Sequence, residues 1–292
     1  MPSARDIRRR IKSIKNTAQI TRAMQMVAAS KMRKAQQAAI SGRPYAALLN
    51  RVIYEAGKHA GDFTHPFFEP GKGKKECVII VSTDKGLCGA LNANLFREVV
   101  KFDSTNTVFI TAGKKASQFI ARTKRNLLAE FTYKDTPQFA EARAISKFAQ
   151  DLFLQGEISD IQILFTKFIS TINQKPVLIP FLPIENIEGT LKGMQSQQEG
   201  EKIQQNDFEF LFEPGPDQVL GAMLPHYLNF LMYQVLLESK ASEHSARMIA
   251  MKNATDNATQ LVKDLTLAYN KMRQAAITKE ILEISTAQMA ME

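Results

Sequence analysis

The chain has 292 residues, 45% of them hydrophobic and 23% charged, a composition typical of a folded protein with room for one or two cores. No run approaches the roughly 18–20 apolar residues of a membrane span, and the charged start lacks the apolar core of an export signal. Cys77 and Cys88 are the only cysteines, which argues against a disulfide framework and fits a reducing compartment.

The excess positive charge lies in the first 34 residues. The formal net charge of the chain is +9, and this segment alone holds ten basic residues and one acid, Asp6. The basic residues are Arg5, Arg8, Arg9, Arg10, Lys12, Lys15, Arg22, Lys31, Arg33 and Lys34. Basic and acidic residues are equal in number in the rest of the chain. The net positive charge is therefore confined to one segment, whereas many nucleic-acid-binding proteins carry it over the whole chain.

The first segment, Ser3–Ser41, contains neither Gly nor Pro and predicts one long helix. Small and apolar residues recur along it at alternating steps of four and three, which is the spacing of a coiled-coil seam. This stripe consists of Ile7, Ile11, Ile14, Ala18, Thr21, Gln25, Ala28, Met32, Ala35 and Ala39.

The middle of the chain alternates strand and helix patterns, which favours a Rossmann-like, doubly wound α/β domain with a parallel sheet. The predicted strands are Cys77–Ser82, Thr107–Thr111, Leu127–Phe131, Asp160–Phe168 and Pro176–Phe181. The predicted helices are Ala90–Lys101, Lys114–Thr123 and Pro137–Gln155, the last with Thr136 as its cap. The polar, Gln-rich stretch Glu188–Asp207 predicts a mobile loop or an extended hairpin.

The last segment, His226–Glu292, again lacks Gly and Pro and predicts a second long helix. Its stripe consists of Met251, Ala254, Ala258, Leu261, Leu265, Ala268, Met272, Ala275 and Leu282. Both stripes are rich in Ala, whereas dimeric zippers prefer Leu and β-branched residues. We therefore predict that the two ends of the chain form one long antiparallel coiled coil, with a homodimeric coiled coil as the alternative.

These patterns divide the chain into three predicted segments. Residues 1–58 form the N-terminal coiled-coil helix, residues 75–215 the α/β domain, and residues 216–292 the C-terminal coiled-coil helix.

Two loops invite comparison with phosphate-binding sites. The stretch Gly71–Glu76 lacks the order of a phosphate loop and precedes a strand, so we interpret it as a solvated basic turn. The loop Thr83–Ala90 follows the first strand, where doubly wound sheets often hold ligands, but it lacks the GxGxxG spacing. Turn formation and helix capping are the favoured roles of Asp84 and Lys85, and ligand binding is the alternative.

No residue pattern points to a catalytic, metal or cofactor site. The four histidines, His59, His65, His226 and His244, have no metal-ligand spacing, and the cysteines form no CxxC. No nucleophile elbow is present, although the residues of a Ser–His–acid triad need no fixed spacing. Two long helices beside a small α/β body indicate a mechanical or scaffolding role.

The basic first helix admits several partners. DNA would bind it through phosphate contacts with counterion release. A membrane surface attracts basic amphipathic helices, but the first half of the stripe lacks Phe and Leu. An acidic protein surface is the third candidate, and a solvated helix face without a partner is the fourth.

Four stretches together resemble one known family. They are Ile7–Lys34, Thr83–Asn92, Ser242–Asn257 and Tyr269–Ile284. In residues and in order they are similar to the γ subunits of F-type ATP synthases. The matched motifs cover about a quarter of the residues, and their arrangement covers the whole length.

The resemblance implies a non-catalytic rotor shaft without a cofactor, which couples proton flow to ATP synthesis in the β subunits and influences ATPase activity. The implied partners are three α and three β subunits, the ε subunit and the c-ring of the membrane sector, with no nucleic acid. Membrane attachment would be indirect, at the cytoplasmic face of a bacterial inner membrane.

The resemblance also implies which residues face the partners. The contacts with an acidic lever of β and with the α/β ring would come from Arg22, Met24, Arg247, Arg273, Gln274, Thr278 and Glu283. Simple helix solvation is the alternative for Gln274 and Thr278. The basic stalk helix would contribute Arg8, Arg9, Arg10, Lys12, Lys15, Lys31, Arg33 and Lys34. The family pattern has Gly-Ala where this chain has Ala287 and Gln288, which concerns the tip alone.

Overall fold

The computed structural model describes residues 3–59, 64–184 and 211–289. Its contacts group the chain into two compact units: Met1–Ala28 with Arg247–Glu292, and Ala29–Ala246. We call the first the helix pair and the second the body. The functional division into segments 1–58, 75–215 and 216–292 stays a prediction. The predicted loop Glu188–Asp207 lies outside the described residues.

Six helices and five strands make up the described residues. The helices are α1 (Ala4–Ser41), α2 (Arg43–His59), α3 (Leu91–Val100), α4 (Lys114–Arg122), α5 (Phe139–Leu154) and α6 (Pro216–Met289). The strands are β1 (Lys75–Val81), β2 (Thr107–Ala112), β3 (Asn126–Phe131), β4 (Ile158–Phe168) and β5 (Gln174–Leu182). Both long helices contribute residues to both units.

The body contains one five-stranded sheet in the order β3-β2-β1-β4-β5. The first four strands are parallel to their neighbours, as predicted, because a helix connects each to the next. The fifth strand corrects the prediction of a parallel sheet, since β5 runs antiparallel to β4. A connection of residues 169–173 joins the two strands, and it is too short for the crossover that a parallel pair needs.

Helices cover both faces of the sheet, so the predicted doubly wound arrangement is confirmed. Successive residues of β1 point to opposite faces. Cys77, Ile79 and Val81 join a core with α2, α5 and the first part of α6. Val78 and Ile80 join a second core with α3 and α4. Each fully buried aliphatic side chain of this kind stabilises the fold by about 1.5–3 kcal/mol.

Helix α5 begins two residues later than predicted. Its N-cap is Gln138, not Thr136, and Pro137 lies before the first helical residue. The backbone N–H of Gln138 donates to the carboxylate of Glu141 at 2.9 Å. This capping interaction satisfies a terminal donor and so determines where the helix starts.

In the helix pair, α1 and α6 of the same chain are in contact. The hydroxyls of Thr21 and Thr255 are 2.7 Å apart. Counted from this contact, the covered residues Ile7 and Tyr269 lie equally far toward the start of α1 and the end of α6. An antiparallel pair accounts for this symmetry, and the contact is made within one chain, unlike that of a homodimer.

The seam predicted for α1 is confirmed, but the seam predicted for α6 is partly wrong. Every predicted stripe residue of α1 is buried or half-buried. On α6, the predicted residues Leu261, Ala268, Ala275 and Leu282 are exposed, and Val262 and Tyr269 are covered beside the first two. The covered residues still alternate steps of three and four, through Thr255, Ala258, Val262, Leu265, Tyr269 and Met272. The predicted period is therefore correct, but Leu261 and Ala268 each lie one residue before the position that faces α1.

Gly113, between β2 and α4, provides a test of the body. It has φ +109°, and a Cβ there would lie 2.4 Å from the carbonyl oxygen of Ser82. We expect Gly113→Ala to destabilise the body by at least about 2 kcal/mol, because strain and clash add. Urea unfolding followed by circular dichroism measures this, with Gly86→Ala as control, since no atom lies within 4 Å of that Cβ. Equal stability of the two variants would contradict the expectation.

Candidate functional site

The outer surface of α1 in the helix pair is basic and open to solvent. The predicted stalk residues Arg8, Arg9, Arg10, Lys12 and Lys15 are all exposed. Arg9 forms an ion pair with Asp6 at 3.4 Å. At physiological salt, charges on such a surface act over about 8 Å, so they attract an acidic partner without fixing one geometry.

Arg22, Met24 and Arg247 lie in the part of the helix pair where α1 and α6 run side by side. Arg22 follows Thr21, the residue that contacts Thr255, and its side chain is exposed. Met24 and Arg247 are half-buried. The two residues predicted to meet an acidic lever, Arg22 and Met24, are therefore both available at the surface.

The other predicted contact residues lie on a part of α6 that has no partner helix in the described chain. From Arg273 to Ile284 every residue is exposed, including Arg273, Gln274, Thr278 and Glu283. The Thr278 hydroxyl donates to the carbonyl of Gln274 at 2.9 Å, which is an ordinary local contact. At 1.5 Å per residue, Thr278 lies roughly 35 Å along α6 from the level of Arg22. The structure thus separates the predicted contacts into two groups.

The unpaired part of α6 also exposes large apolar side chains. Ile277, Ile281, Leu282 and Ile284 are between 47% and 66% exposed. Such a concentration of exposed apolar side chains on one unpaired helix is typical of a surface that a partner covers.

Lys31, Arg33 and Lys34 belong to the body. Arg33 and Lys34 are exposed, as a basic surface requires. Lys31 is different, because its ammonium lies 2.5 Å from the carboxylate of Asp135 in the loop between β3 and α5. Lys31 therefore has an acidic partner within the chain, and its role in the basic stalk helix stays a prediction.

A buried charged cluster lies in the body where α6 carries the residues Ser239–Ser245, all of which are buried. The Lys240 side chain is 1% exposed, and its ammonium lies 3.0 Å from the carboxylate of Glu243. The same ammonium sits over the ring of Tyr133, 4.4 Å from the centroid. We call Lys31, Tyr133, Asp135, Lys240 and Glu243 the ion cluster.

Burial and charge shift two groups of the ion cluster. The hydrogen bond from Lys31 holds the pKa of Asp135 below its usual range, and Lys240 and His244 act in the same direction. Burial, together with the charge of Glu243, raises the pKa of Tyr133 well above its usual range. At neutral pH the carboxylate is therefore ionised and the phenol keeps its proton. The phenol donates that proton to the carbonyl of Ser82 at 2.9 Å.

Sequence reasoning did not find the ion cluster. The stretch that begins at Ser242 matched the family motif, but only Arg247 was assigned a role in it. The available signal was the pair Lys240 and Glu243, which lie three residues apart and so share one face of a helix that follows an apolar run. Asp135 offered no local signal, because its partners are distant in sequence.

In the two loops compared above with phosphate-binding sites, Gly71 and Asp84 make contacts with the backbone of neighbouring elements. A Cβ on Gly71 would lie 2.0 Å from the carbonyl oxygen of Ile158, so this glycine permits a close approach to β4. In the second loop, the Asp84 carboxylate accepts from the backbone N–H of Lys114, the first residue of α4, at 3.0 Å. These contacts agree with the predicted turn and capping roles.

The described residues offer little for other chemistry. Both cysteines are buried and neither forms a disulfide, and burial raises the pKa of the Cys77 thiol to about 12. No three His, Cys, Asp or Glu side chains in these ranges are grouped so that they could hold a metal ion. None of the helices, as far as they are described, has an apolar stretch long enough to span a bilayer.

Comparison with known proteins gives a consistent result along the whole sequence. A family model described as ATP synthase matches residues 3–291. The sequence is 47% identical to the ATP synthase gamma chain of Opitutus terrae, over 99% of each chain. It is also 47% identical to the ATP synthase gamma chain of Methylacidiphilum infernorum, over 100% of each chain.

Solved structures share the fold at low sequence identity. A chain of the Euglena gracilis mitochondrial ATP synthase, in a structure of OSCP, F1 and c-ring in rotational state 3, matches with a TM-score of 0.66. The identity is 18%, over 99% of this chain and 94% of that chain. A chain from the rotor of the same enzyme in rotational state 1 matches with a TM-score of 0.63 and 20% identity, over 94% and 98%.

The ion cluster yields a prediction about stability. We expect Glu243→Gln to destabilise the body by about 3–5 kcal/mol, because it removes the nearest and only buried counter-charge of the Lys240 ammonium among its two carboxylate partners, Glu243 and Asp135. The control is Glu283→Gln, which removes an exposed partner 3.6 Å from Lys279 and should change stability by less than about 1 kcal/mol. Urea unfolding curves of both variants measure the difference, and similar values would refute the importance of the buried pair.

Proposed function

We propose, since this chain belongs to the family of ATP synthase gamma chains, that it is the rotor shaft of an F-type ATP synthase. The shaft would couple proton flow through the membrane sector to ATP synthesis in the β subunits and would influence ATPase activity. The chain itself would be non-catalytic. Residues 1–58 and 216–292 would form the shaft, and residues 75–215 would form its base.

One observation carries this proposal: the helix pair combines a thin seam with a charged, exposed outer surface. A shaft that turns inside a ring must not interlock with it through deep apolar contacts. The small and polar seam residues, such as Ala18 and Thr21, keep the pair slender, and the basic residues remain outside. Screened attraction to acidic surfaces can guide such a shaft without holding it.

The proposed partners follow from the family and from the surfaces. Three α and three β subunits would surround the helix pair, and the unpaired, apolar end of α6 would be covered by their ring. The ε subunit and the c-ring would contact the base. Membrane attachment would be indirect, at the cytoplasmic face of a bacterial inner membrane.

We assign the contact roles residue by residue. Arg22 and Met24 would meet the acidic lever of β, and Arg247 would lie close to them along the shaft. Arg273, Gln274, Thr278 and Glu283 would contact the ring where α6 runs alone. The exposure of Arg22 and of the four residues on the unpaired part of α6 supports these roles, because these side chains can reach a partner without any rearrangement of the helix pair. Met24 and Arg247 are half-buried and would present only part of their side chains.

Reconstitution tests the proposed function directly. The chain is combined with α, β and ε subunits and the membrane sector of a related bacterium in sealed vesicles. ATP-driven acidification is then followed with a pH-sensitive dye. We expect acidification only when this chain is present. Assembly without acidification, or failure to bind the α and β subunits, would refute a rotor function.

Met24→Lys should impair coupling. The new ammonium lies close to the proposed acidic lever, where an added attraction is worth about 1–4 kcal/mol and must be broken at every step of rotation. We expect less proton pumping per ATP hydrolysed in the reconstituted complex. Met26→Lys is the control, because Met26 is also on α1 but 62% exposed on a different face. Equal pumping ratios for both variants would contradict the placement of Met24.

Removal of residues 277–292 should weaken torque transfer and leave the body folded. These residues belong to the helix pair, and the part that is described is almost entirely exposed. We expect the melting temperature of the body to change by less than about 2 °C, since few buried contacts are lost. Calorimetry of the truncated chain measures it, and loss of the body's thermal transition would contradict the expectation.

A further inference from the structure

We propose that Asp135 is a positioning residue for torque transfer. It holds α1 in a fixed orientation on the body, next to the buried stretch of α6 around Lys240. This inference rests on the rotor function proposed above and deepens it. Asp135 would be the side chain through which the body controls α1, the first of the two shaft helices.

A single carboxylate faces one cation from each long helix. Asp135 lies in the loop between β3 and α5, and one of its oxygens is 2.5 Å from the ammonium of Lys31 on α1. Its other oxygen is 4.0 Å from the ammonium of Lys240 on α6. Within the body, this loop therefore interacts with helices from the two ends of the chain.

The cluster is connected to the centre of the sheet. Lys240 lies over the ring of Tyr133, whose hydroxyl donates to the carbonyl of Ser82 directly after β1. The Ser82 hydroxyl in turn accepts from the N–H of Ala116 at 2.9 Å and donates to the carbonyl of Gly113 at 3.2 Å. A force on either helix can thus reach the rigid core of the body through directional contacts.

The two helices are held with different strength. Around Lys240, seven consecutive residues of α6 are buried, so this helix is enclosed on all sides. In the part of α1 that belongs to the body, the buried side chains are Met32 and Ala35, and the other covered residues are only half-buried. Such a small apolar contact resists rotation of a helix about its own axis only weakly. The directional pair of Lys31 and Asp135 supplies the missing constraint.

The pair is better suited to orientation than to stability. The side chains of Lys31 and Asp135 are 42% and 46% exposed. Ion pairs with this exposure contribute little to folding, because water and salt compete for both charges. Loss of the pair should therefore leave the fold intact and let α1 turn on the body under load.

The test uses the reconstituted complex with Asp135→Asn. We expect about a two- to fivefold fall in protons pumped per ATP hydrolysed, the range that corresponds to loss of one partly exposed ion pair. Assembly and melting temperature should stay unchanged. The matched control is Glu98→Gln, which removes the same charge from an ion pair with Lys101 on α3, at 2.7 Å and inside the body. This control should pump like the parent.

Further variants separate orientation from general stability. Asp135→Glu keeps the carboxylate and should restore pumping. Lys31→Gln should reproduce the loss, because it removes the same ion pair. The double variant should be no worse than Asp135→Asn alone, since that variant already lacks the Lys31–Asp135 pair. A pumping ratio in Asp135→Asn equal to that of Glu98→Gln would overturn the inference. So would a lower melting temperature with an unchanged ratio. If the parent chain itself fails to support pumping, the proposed rotor function fails first.

Discussion

A buried ammonium group needs a counter-charge, and this requirement determines how α6 packs into the body. Lys240 is enclosed in the body and is neutralised by Glu243 on the same helix, with the ring of Tyr133 against it. Because the desolvation of an unpaired ammonium is so costly, this stretch of α6 has one acceptable rotation about its own axis. Within the body, the sheet and helices α2 and α5 share one core with α6, whose rotation the pair of Lys240 and Glu243 helps to set.

Much of the fold could be predicted because its signals are local. The five strands are short apolar runs between turn residues, and the stripe of α1 repeats with the period of a helix. The errors arise where structure depends on competition or on distance. The N-cap of α5 differs from the predicted Thr136 because the N–H of Gln138 donates to the carboxylate of Glu141. The direction of β5 depends on a short connection. On α6, the neighbouring residues Leu261 and Val262 are both apolar, and only the packing against α1 determines which of them is covered.

The candidate site was only partly predictable. The contact residues came from resemblance to a family, and the structure adds that they fall into a paired group and an unpaired group. Asp135 could not have been found from spacing, since it lies 104 residues from Lys31 and belongs to no recognisable motif. Contacts of this kind are created by the topology of the sheet. The loop after an edge strand reaches the helices only once that strand has taken its place beside β2.

The hydroxyl contact between Thr21 and Thr255 has a consequence for the helix pair as a mechanical element. Around this contact the seam carries small residues, such as Ala18 and Ala258, next to larger ones, such as Ile14. A displacement of one helix along the other by a heptad would separate the two hydroxyls, and each would keep only its bond to a carbonyl of its own helix. The contact between the two threonines thus favours one axial alignment of the pair over a lengthwise slip.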